Sequence, residues 1–318
     1  MYRRFYGLRE SPFSVNPDPR YLFMTTQTQE ALAGLTYGIQ NRKGFVLLTG
    51  EVGTGKTTLL NRLLDWLRGQ QVATAYIFNS RLEVNHLFDF IMADFEIPCE
   101  SREKSHVLLR LNQWLLERYR AGETAVLIID EAQNLSDEVL EEIRLLTNLE
   151  TATEKLLQIV LTGQPELEEK LKLPHLRQLR QRITLRCRTS ALSLEETFGY
   201  IADRLRIAGA NGEPIFSKEA IQTVHMYSRG IPRIVNLLCE HSMINAYVDS
   251  LRPVPAHLVE EVAREFQLDL EDVAPVLSGG SPSGAQQSAH TQALLENLDD
   301  LLGRFRQLNV VPSRERKS

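Results

Sequence analysis

The stretch that most constrains this chain is Gly50-Glu51-Val52-Gly53-Thr54-Gly55-Lys56-Thr57. It matches G-x-x-x-x-G-K-[ST], a glycine-rich loop that wraps phosphate groups. Both flanks fit. Phe45-Val46-Leu47-Leu48-Thr49 is a short apolar run, as expected of a strand buried in a parallel sheet. After the loop, Thr58-Leu59-Leu60-Asn61-Arg62-Leu63-Leu64 carries apolar residues at helical spacing.

The residue types explain the chemistry. Glycines at 50, 53 and 55 let the backbone turn tightly and offer successive N–H groups to phosphate oxygens. A helix starting near Lys56 aims its first amides and its positive dipole end at the same anion. Lys56 would reach the β- and γ-phosphates of ATP, and the Thr57 hydroxyl would ligate Mg²⁺. The candidate nucleotide-binding set is Gly50, Glu51, Val52, Gly53, Thr54, Gly55, Lys56, Thr57 and Thr58.

Ala125-Val126-Leu127-Ile128-Ile129-Asp130-Glu131 is the second informative stretch. Five apolar residues predict a central strand, with two carboxylates at its C-terminal end, where open parallel sheets bind their ligands. Asp130 would hold Mg²⁺, and Glu131 would act as general base on the attacking water. A further strand, Leu157 to Thr162, ends in Gly163-Gln164-Pro165. A polar group there could touch the γ-phosphate and the water. Gln164 has the reach, and an ordinary turn is the competing reading.

Arg177 to Arg188 holds five further basic positions and no acid: Arg177, Arg180, Arg182, Arg186 and Arg188. Such a run is usually a solvated basic face. A guanidinium offered to the ATP of a neighbouring subunit is the alternative of equal weight. Arg182, read as opening a last core strand from Ile183 to Cys187, ranks first for that role. Arg180, on a preceding helix with Arg177, ranks second. Contact with DNA phosphates is a third reading.

From Ser193 the pattern is wholly helical. Ser193-Leu194-Glu195-Glu196 is a capping box, Ser217 caps a second helix, Pro232 suits the first turn of a third, and a last one starts at Pro255. Arg233 stands at the start of the third helix, where the dipole disfavours a cation. A phosphate partner would resolve that mismatch, so Arg233 joins the nucleotide-binding and catalytic candidates.

The expected organisation is an α/β fold with a three-layer core around a parallel sheet, a small all-helical lid and a flexible tail. Residues 1–25, aromatic and proline-rich, form an arm packed on the core, although contact with adenine or with a neighbouring subunit is also open. Residues 26–190 form the nucleotide-binding core and 191–273 the lid. Residues 274–290, including Ser278-Gly279-Gly280-Ser281, form a disordered linker. In 291–318, Leu294, Leu298, Leu301, Leu302 and Phe305 predict an amphipathic helix before a basic end. It could serve a partner, the protein's own core or a membrane surface.

A net charge of −5 argues against a bulk nucleic-acid binder but leaves room for a local basic patch. Cys99, Cys187 and Cys239 match no metal-ligand spacing. No apolar run approaches the roughly 18 residues needed to span a bilayer, and Met1-Tyr2-Arg3-Arg4-Phe5 does not open a signal peptide. The expectation is therefore a cytoplasmic protein, peripheral to the inner membrane only through a partner.

In this order the pieces resemble an AAA+ ATPase. The resemblance makes them Walker A, Walker B, sensor 1, arginine finger and, in Gly230-Ile231-Pro232-Arg233, sensor 2. Tyr6-Gly7-Leu8-Arg9-Glu10-Ser11-Pro12-Phe13, Asp130-Glu131-Ala132-Gln133, Leu161-Thr162-Gly163-Gln164-Pro165-Glu166-Leu167 and Gln181-Arg182-Ile183 resemble more narrowly the ExeA-type proteins of general secretion pathways. That likeness covers about residues 1–270. It implies an ATP-hydrolysing, Mg²⁺-dependent homo-oligomer working with envelope or export machinery. Transposition regulators of the TniB type resemble the same branch and imply duplex DNA as the alternative partner. A nucleotide-gated scaffold without turnover is disfavoured by Glu131.

Overall fold

The computed structural model describes residues 1–268 except 71, 79–81, 99 and 102. The expected linker and terminal helix beyond residue 273, and Cys99, lie outside the described residues.

The core is a five-stranded parallel sheet in the order β2-β3-β4-β1-β5. The strands are β1 (Phe45–Thr49), β2 (Val72–Ile77), β3 (Thr124–Ile129), β4 (Leu157–Gly163) and β5 (Leu185–Arg188). The three inner strands are buried on both faces, as a sheet covered on both sides requires. Alternate residues sort to opposite layers. Val46, Leu48, Val126, Ile128 and Val160 pack with Leu35, Ile39, Leu59, Leu60 and Leu63. Those partners come from α2 (Thr26–Gln40) and α3 (Lys56–Arg68). Leu47, Leu127, Ile129, Ile159 and Leu161 face the other layer. That layer holds α4 (Val84–Asp94), α5 (Lys104–Arg120), α6 (Asp137–Leu146), α7 (Pro165–Lys170) and α8 (Arg177–Arg182). The expected three-layer α/β core is what forms.

One boundary differs. Ile183 to Cys187 was expected as the last strand, with Arg182 opening it. Instead Arg182 ends α8, and β5 begins at Leu185, paired with Val46. Ile183 packs partly buried against the α4–α8 layer. The N–H of Thr184 donates to Phe45 O at 2.9 Å, and the strand begins two residues later than its apolar pattern suggests.

The lid is helical, as expected: α9 (Leu194–Ile207), α10 (Lys218–Ser228), α11 (Pro232–Val248) and α12 (Ala256–Glu265). Ser193 and Glu196 close the capping box, Ser217 caps α10 and Pro232 sits in the first turn of α11. No described helix is long and apolar enough to cross a membrane.

The arm was expected on the core; it is anchored mainly on the lid. The short helix α1 (Tyr2–Phe5) lies on α11, where Tyr2 OH donates to Glu240 Oε1 at 2.6 Å and Phe5 meets Tyr247 edge-on. Phe13, 1% exposed, meets Phe216. The buried Arg204 guanidinium donates to the carbonyls of Pro12 and Ser14 and stacks on Tyr21. Residues 17–22 reach the core: Asn61 Nδ2 donates to Pro17 O at 2.7 Å, the turn Pro19–Tyr21 touches α3, and Leu22 packs against the α2–α3 layer. Helices already cover both faces of the sheet, so the arm's aromatics find their apolar groove among the lid helices.

Candidate functional site

The loop from Gly50 to Gly55 joins the carboxyl end of β1 to the first turn of α3. Gly53 (φ 80°) and Gly55 (φ 96°) take left-handed conformations that most side chains resist. Gly50 is required for a different reason: a Cβ there would stand 2.1 Å from Thr189 Oγ1. The Thr189 hydroxyl also shares a 2.7 Å hydrogen bond with that of Thr54, which ties β5 to the loop. Glu51 and Val52 form the outer bend, and Thr57 and Thr58 lie half-buried in the first turn of α3.

Lys56 is buried, and its ammonium donates to the carbonyls of Gly50 (2.8 Å) and Glu51 (3.1 Å). An ammonium has three N–H donors, so one remains for an anion held by the loop. Burial pushes the Lys56 pKa down, while the charges of Glu131, Asp130, Glu51 and Glu166 pull it back up.

Asp130 follows β3 and is buried. Its Oδ1 accepts from the Thr162 hydroxyl and, at 2.9 Å, from the N–H of Glu131. Its Oδ2 accepts from Tyr76 OH at 3.1 Å. These donors are neutral, so they fix the carboxylate without cancelling its charge. Glu131 has φ 52°, a conformation that costs a non-glycine residue about 1–3 kcal/mol. Its Oε2 accepts from Gln133 Nε2 at 2.6 Å and Gln164 Nε2 at 3.2 Å. The N–H of Gln164 in turn donates to Gln133 Oε1 at 3.2 Å.

Hydroxyl and carboxylate oxygens from Thr57 and Asp130 are the hard donors Mg²⁺ takes, and a buried carboxylate with only neutral donors favours a cation. Among the described residues no cluster of three His, Cys, Asp or Glu could form an all-protein cage. One or two protein oxygens completed by phosphate and water fit Mg²⁺ well.

Arg233 reaches the loop from the lid. Its N–H donates to Gly53 O at 3.2 Å, and its side chain packs over Gly53. The fold thus gathers Lys56, Thr57, Asp130, Glu131, Gln164 and Arg233 around one end of the sheet. Arg182 is not among them. It lies at the amino ends of the strands, where its Nη2 donates to Asn148 Oδ1 at 3.1 Å. Arg180 is half-buried on the same helix, and Arg177 is exposed.

Sequence reasoning gave no role to Tyr76, Gln133 or Thr189. Gln133 had a signal, since it stands two residues from Glu131. Tyr76 and Thr189 become neighbours of the site only through sheet register and strand order.

Comparison with known proteins agrees with this fold. Residues 39–171 match the family described as AAA domain. The chain is 48% identical over 248 residues to General secretion pathway protein A of Aeromonas hydrophila, which covers 78% of this chain and 45% of that protein. It therefore spans less than half of that relative's length. Among solved structures, Cdc6p from Pyrobaculum aerophilum aligns with a TM-score of 0.62 at 19% identity, over 80% of this chain and 70% of that one. Drosophila ORC bound to DNA aligns with a TM-score of 0.61 at 18% identity, over 90% and 81%. The fold is that of the P-loop AAA+ ATPases.

Proposed function

We propose that this chain is an ATP-hydrolysing AAA+ switch that serves a secretion or export assembly. The observation that carries the ATPase reading is the convergence of Lys56, Asp130 and Glu131 at the carboxyl end of the central strands. The loop amides and the Lys56 ammonium bind and orient the phosphates of ATP. Thr57 and Asp130 would hold Mg²⁺, which when bound would supply positive charge against the phosphates.

Glu131, oriented by Gln133 and Gln164, accepts a proton from the attacking water as its oxygen attacks the γ-phosphorus and the bond to the ADP oxygen breaks. Arg233, fixed by its backbone to Gly53, brings a cation from the lid and links lid position to the phosphates. Arg182 stands away from the site of its own chain, so the role open to it in hydrolysis is at the site of a second copy, which would couple hydrolysis to assembly; a solvated basic face is the other reading. The secretion context rests on the 48% identity to General secretion pathway protein A.

The test is steady-state hydrolysis with nucleotide binding measured in parallel. Lys56→Ala should abolish tight binding; Glu131→Gln should keep binding and stop turnover. An unchanged rate in either variant overturns the ATPase reading. Duplex DNA that stimulates the rate, in a salt-sensitive way, would replace the secretion reading with a DNA-associated regulator, for which the exposed Arg177 and Arg186 would supply phosphate contacts.

A further inference from the structure

Asp130 is held from both sides of its strand. On the β4 side Thr162, opposite it in the sheet, donates to Oδ1. On the β2 side Tyr76 donates to Oδ2 at 3.1 Å, and no other described side chain or backbone group donates to that oxygen. Tyr76 is itself well fixed. Its N–H donates to Asp94 Oδ2 at 2.8 Å, and its ring packs partly buried against the α2–α3 face of the sheet.

We propose that Tyr76 is a positioning residue for the divalent cation, a proposal that rests on reading Asp130 as the carboxylate that holds it. With Oδ1 taking two donors, Oδ2 is the oxygen left with capacity for the cation or its water. The phenol occupies one side of Oδ2 and fixes the rotation of the carboxylate, so the remaining lone pair points in one direction. Without the phenol, Asp130 keeps its charge but loses that direction. Groups that hydrogen-bond to a metal-binding side chain typically contribute about 10–100-fold to metal affinity.

The experiment uses the full chain and its Tyr76→Phe variant, with Mn²⁺ as the spectroscopic probe. Free and bound Mn²⁺ are measured by electron paramagnetic resonance in the presence of ADP. Binding of a fluorescent ADP is measured separately with EDTA present. Tyr76→Phe should weaken Mn²⁺ binding about tenfold or more while metal-free ADP affinity stays as in the unsubstituted chain. The Mg²⁺ concentration for half-maximal hydrolysis should rise similarly, with kcat largely recovered at saturating Mg²⁺.

Equal Mn²⁺ affinity in the two chains overturns the proposal. A lower kcat that added Mg²⁺ does not restore overturns it too, because a merely structural loss behaves that way. Asp130→Asn separates the two layers: if it leaves Mn²⁺ binding unchanged, the reading of Asp130 itself has failed. If Tyr76→Phe loses metal-free ADP binding as well, Tyr76→Gln and Tyr76→Leu carry the test. The glutamine, which keeps a donor, should bind Mn²⁺ more tightly than the leucine, and equal affinities overturn the proposal.

Discussion

Gly53 and Arg233 are joined back to back: the lid residue's N–H donates to the loop residue's carbonyl at 3.2 Å, and a Cβ on Gly53 would stand 2.9 Å from Arg233 Cβ. The lid therefore rests on the backbone of the phosphate loop. A movement of α11 cannot leave the loop undisturbed.

Gly53→Ala should thus do more than strain one residue. The left-handed backbone alone costs an alanine about 1–2 kcal/mol. The new methyl would also press on Arg233 and on Ile231 Cγ2, 3.0 Å away. Gly122→Ala is the control, with φ 78° and nothing within 4 Å. Both variants should lose a similar amount of stability from backbone strain, read by denaturant unfolding. Only Gly53→Ala should weaken ADP binding, by about tenfold if the displaced contact is worth about 1.4 kcal/mol. Equal ADP affinity in the two variants would refute the loop–lid coupling.

Gln133 tests how Glu131 is aimed. Gln133→Ala removes the 2.6 Å donor to Glu131 and the acceptor for the Gln164 N–H, without touching the loop or Asp130. The nucleotide should bind as before. The rate should fall by about tenfold, less than the 10²–10⁴-fold that general-base catalysis as a whole contributes. A changed Kd with an unchanged kcat would mean that Gln133 supports the nucleotide rather than the base.

The buried Glu240 gives the fold a pH dependence of definite sign. Burial pushes its carboxyl pKa up, against the opposing hydrogen bond from Tyr2 and the charges of Arg204 and Arg3. The folded state therefore holds this proton more tightly than the unfolded chain does. The stability it contributes is fully present below the ordinary glutamate range near pH 4.3 and is lost as pH rises through the folded value. Oε2 of Glu240 is buried without a partner, so ionisation there is costly. Glu240→Gln should raise the melting temperature at about pH 8 relative to the unsubstituted chain and shrink the difference between about pH 5 and pH 8. Parallel pH profiles for the two chains would contradict this assignment.

The phosphate loop and the strand before Asp130 were legible because each couples a local pattern to a chemical demand. Glycines at fixed offsets, a buried apolar run and charged residues at its end leave few other folds open. The lid helices were legible from Ser193, Ser217 and Pro232, which act within a single turn. What the pattern missed depends on long-range register. Tyr76 meets Asp130 only because β2 lies beside β3, and Thr189 meets Thr54 only because β5 lies beside β1. The start of β5 was misplaced because Ile183 is apolar for the packing of a helix end, which looks the same in sequence as an inward strand residue. The arm's aromatics announced burial but not the surface that buries them.

Arg182 carries the prediction about assembly. In one chain it sits at the amino ends of the strands, bonded to Asn148, while the phosphate loop lies at their carboxyl ends. If it serves the site of a second copy, each working site needs Lys56 from one protomer and Arg182 from another. Arg182→Ala alone should lose most turnover yet keep nucleotide affinity, since an arginine supplied in trans can be worth about 10³–10⁵ in kcat. Lys56→Ala alone should lose binding. Mixing the two inactive proteins creates sites with an intact loop on one side and an intact arginine on the other, so activity should return and peak near an equal ratio. Specific activity of the unsubstituted protein should also rise with its concentration. Mixtures that stay inactive, together with a concentration-independent rate, would make Arg182 part of a solvated basic face. If Arg180→Ala loses turnover, keeps nucleotide affinity and is rescued by Lys56→Ala while Arg182→Ala alone stays active, the role belongs to the arginine half a turn earlier on α8.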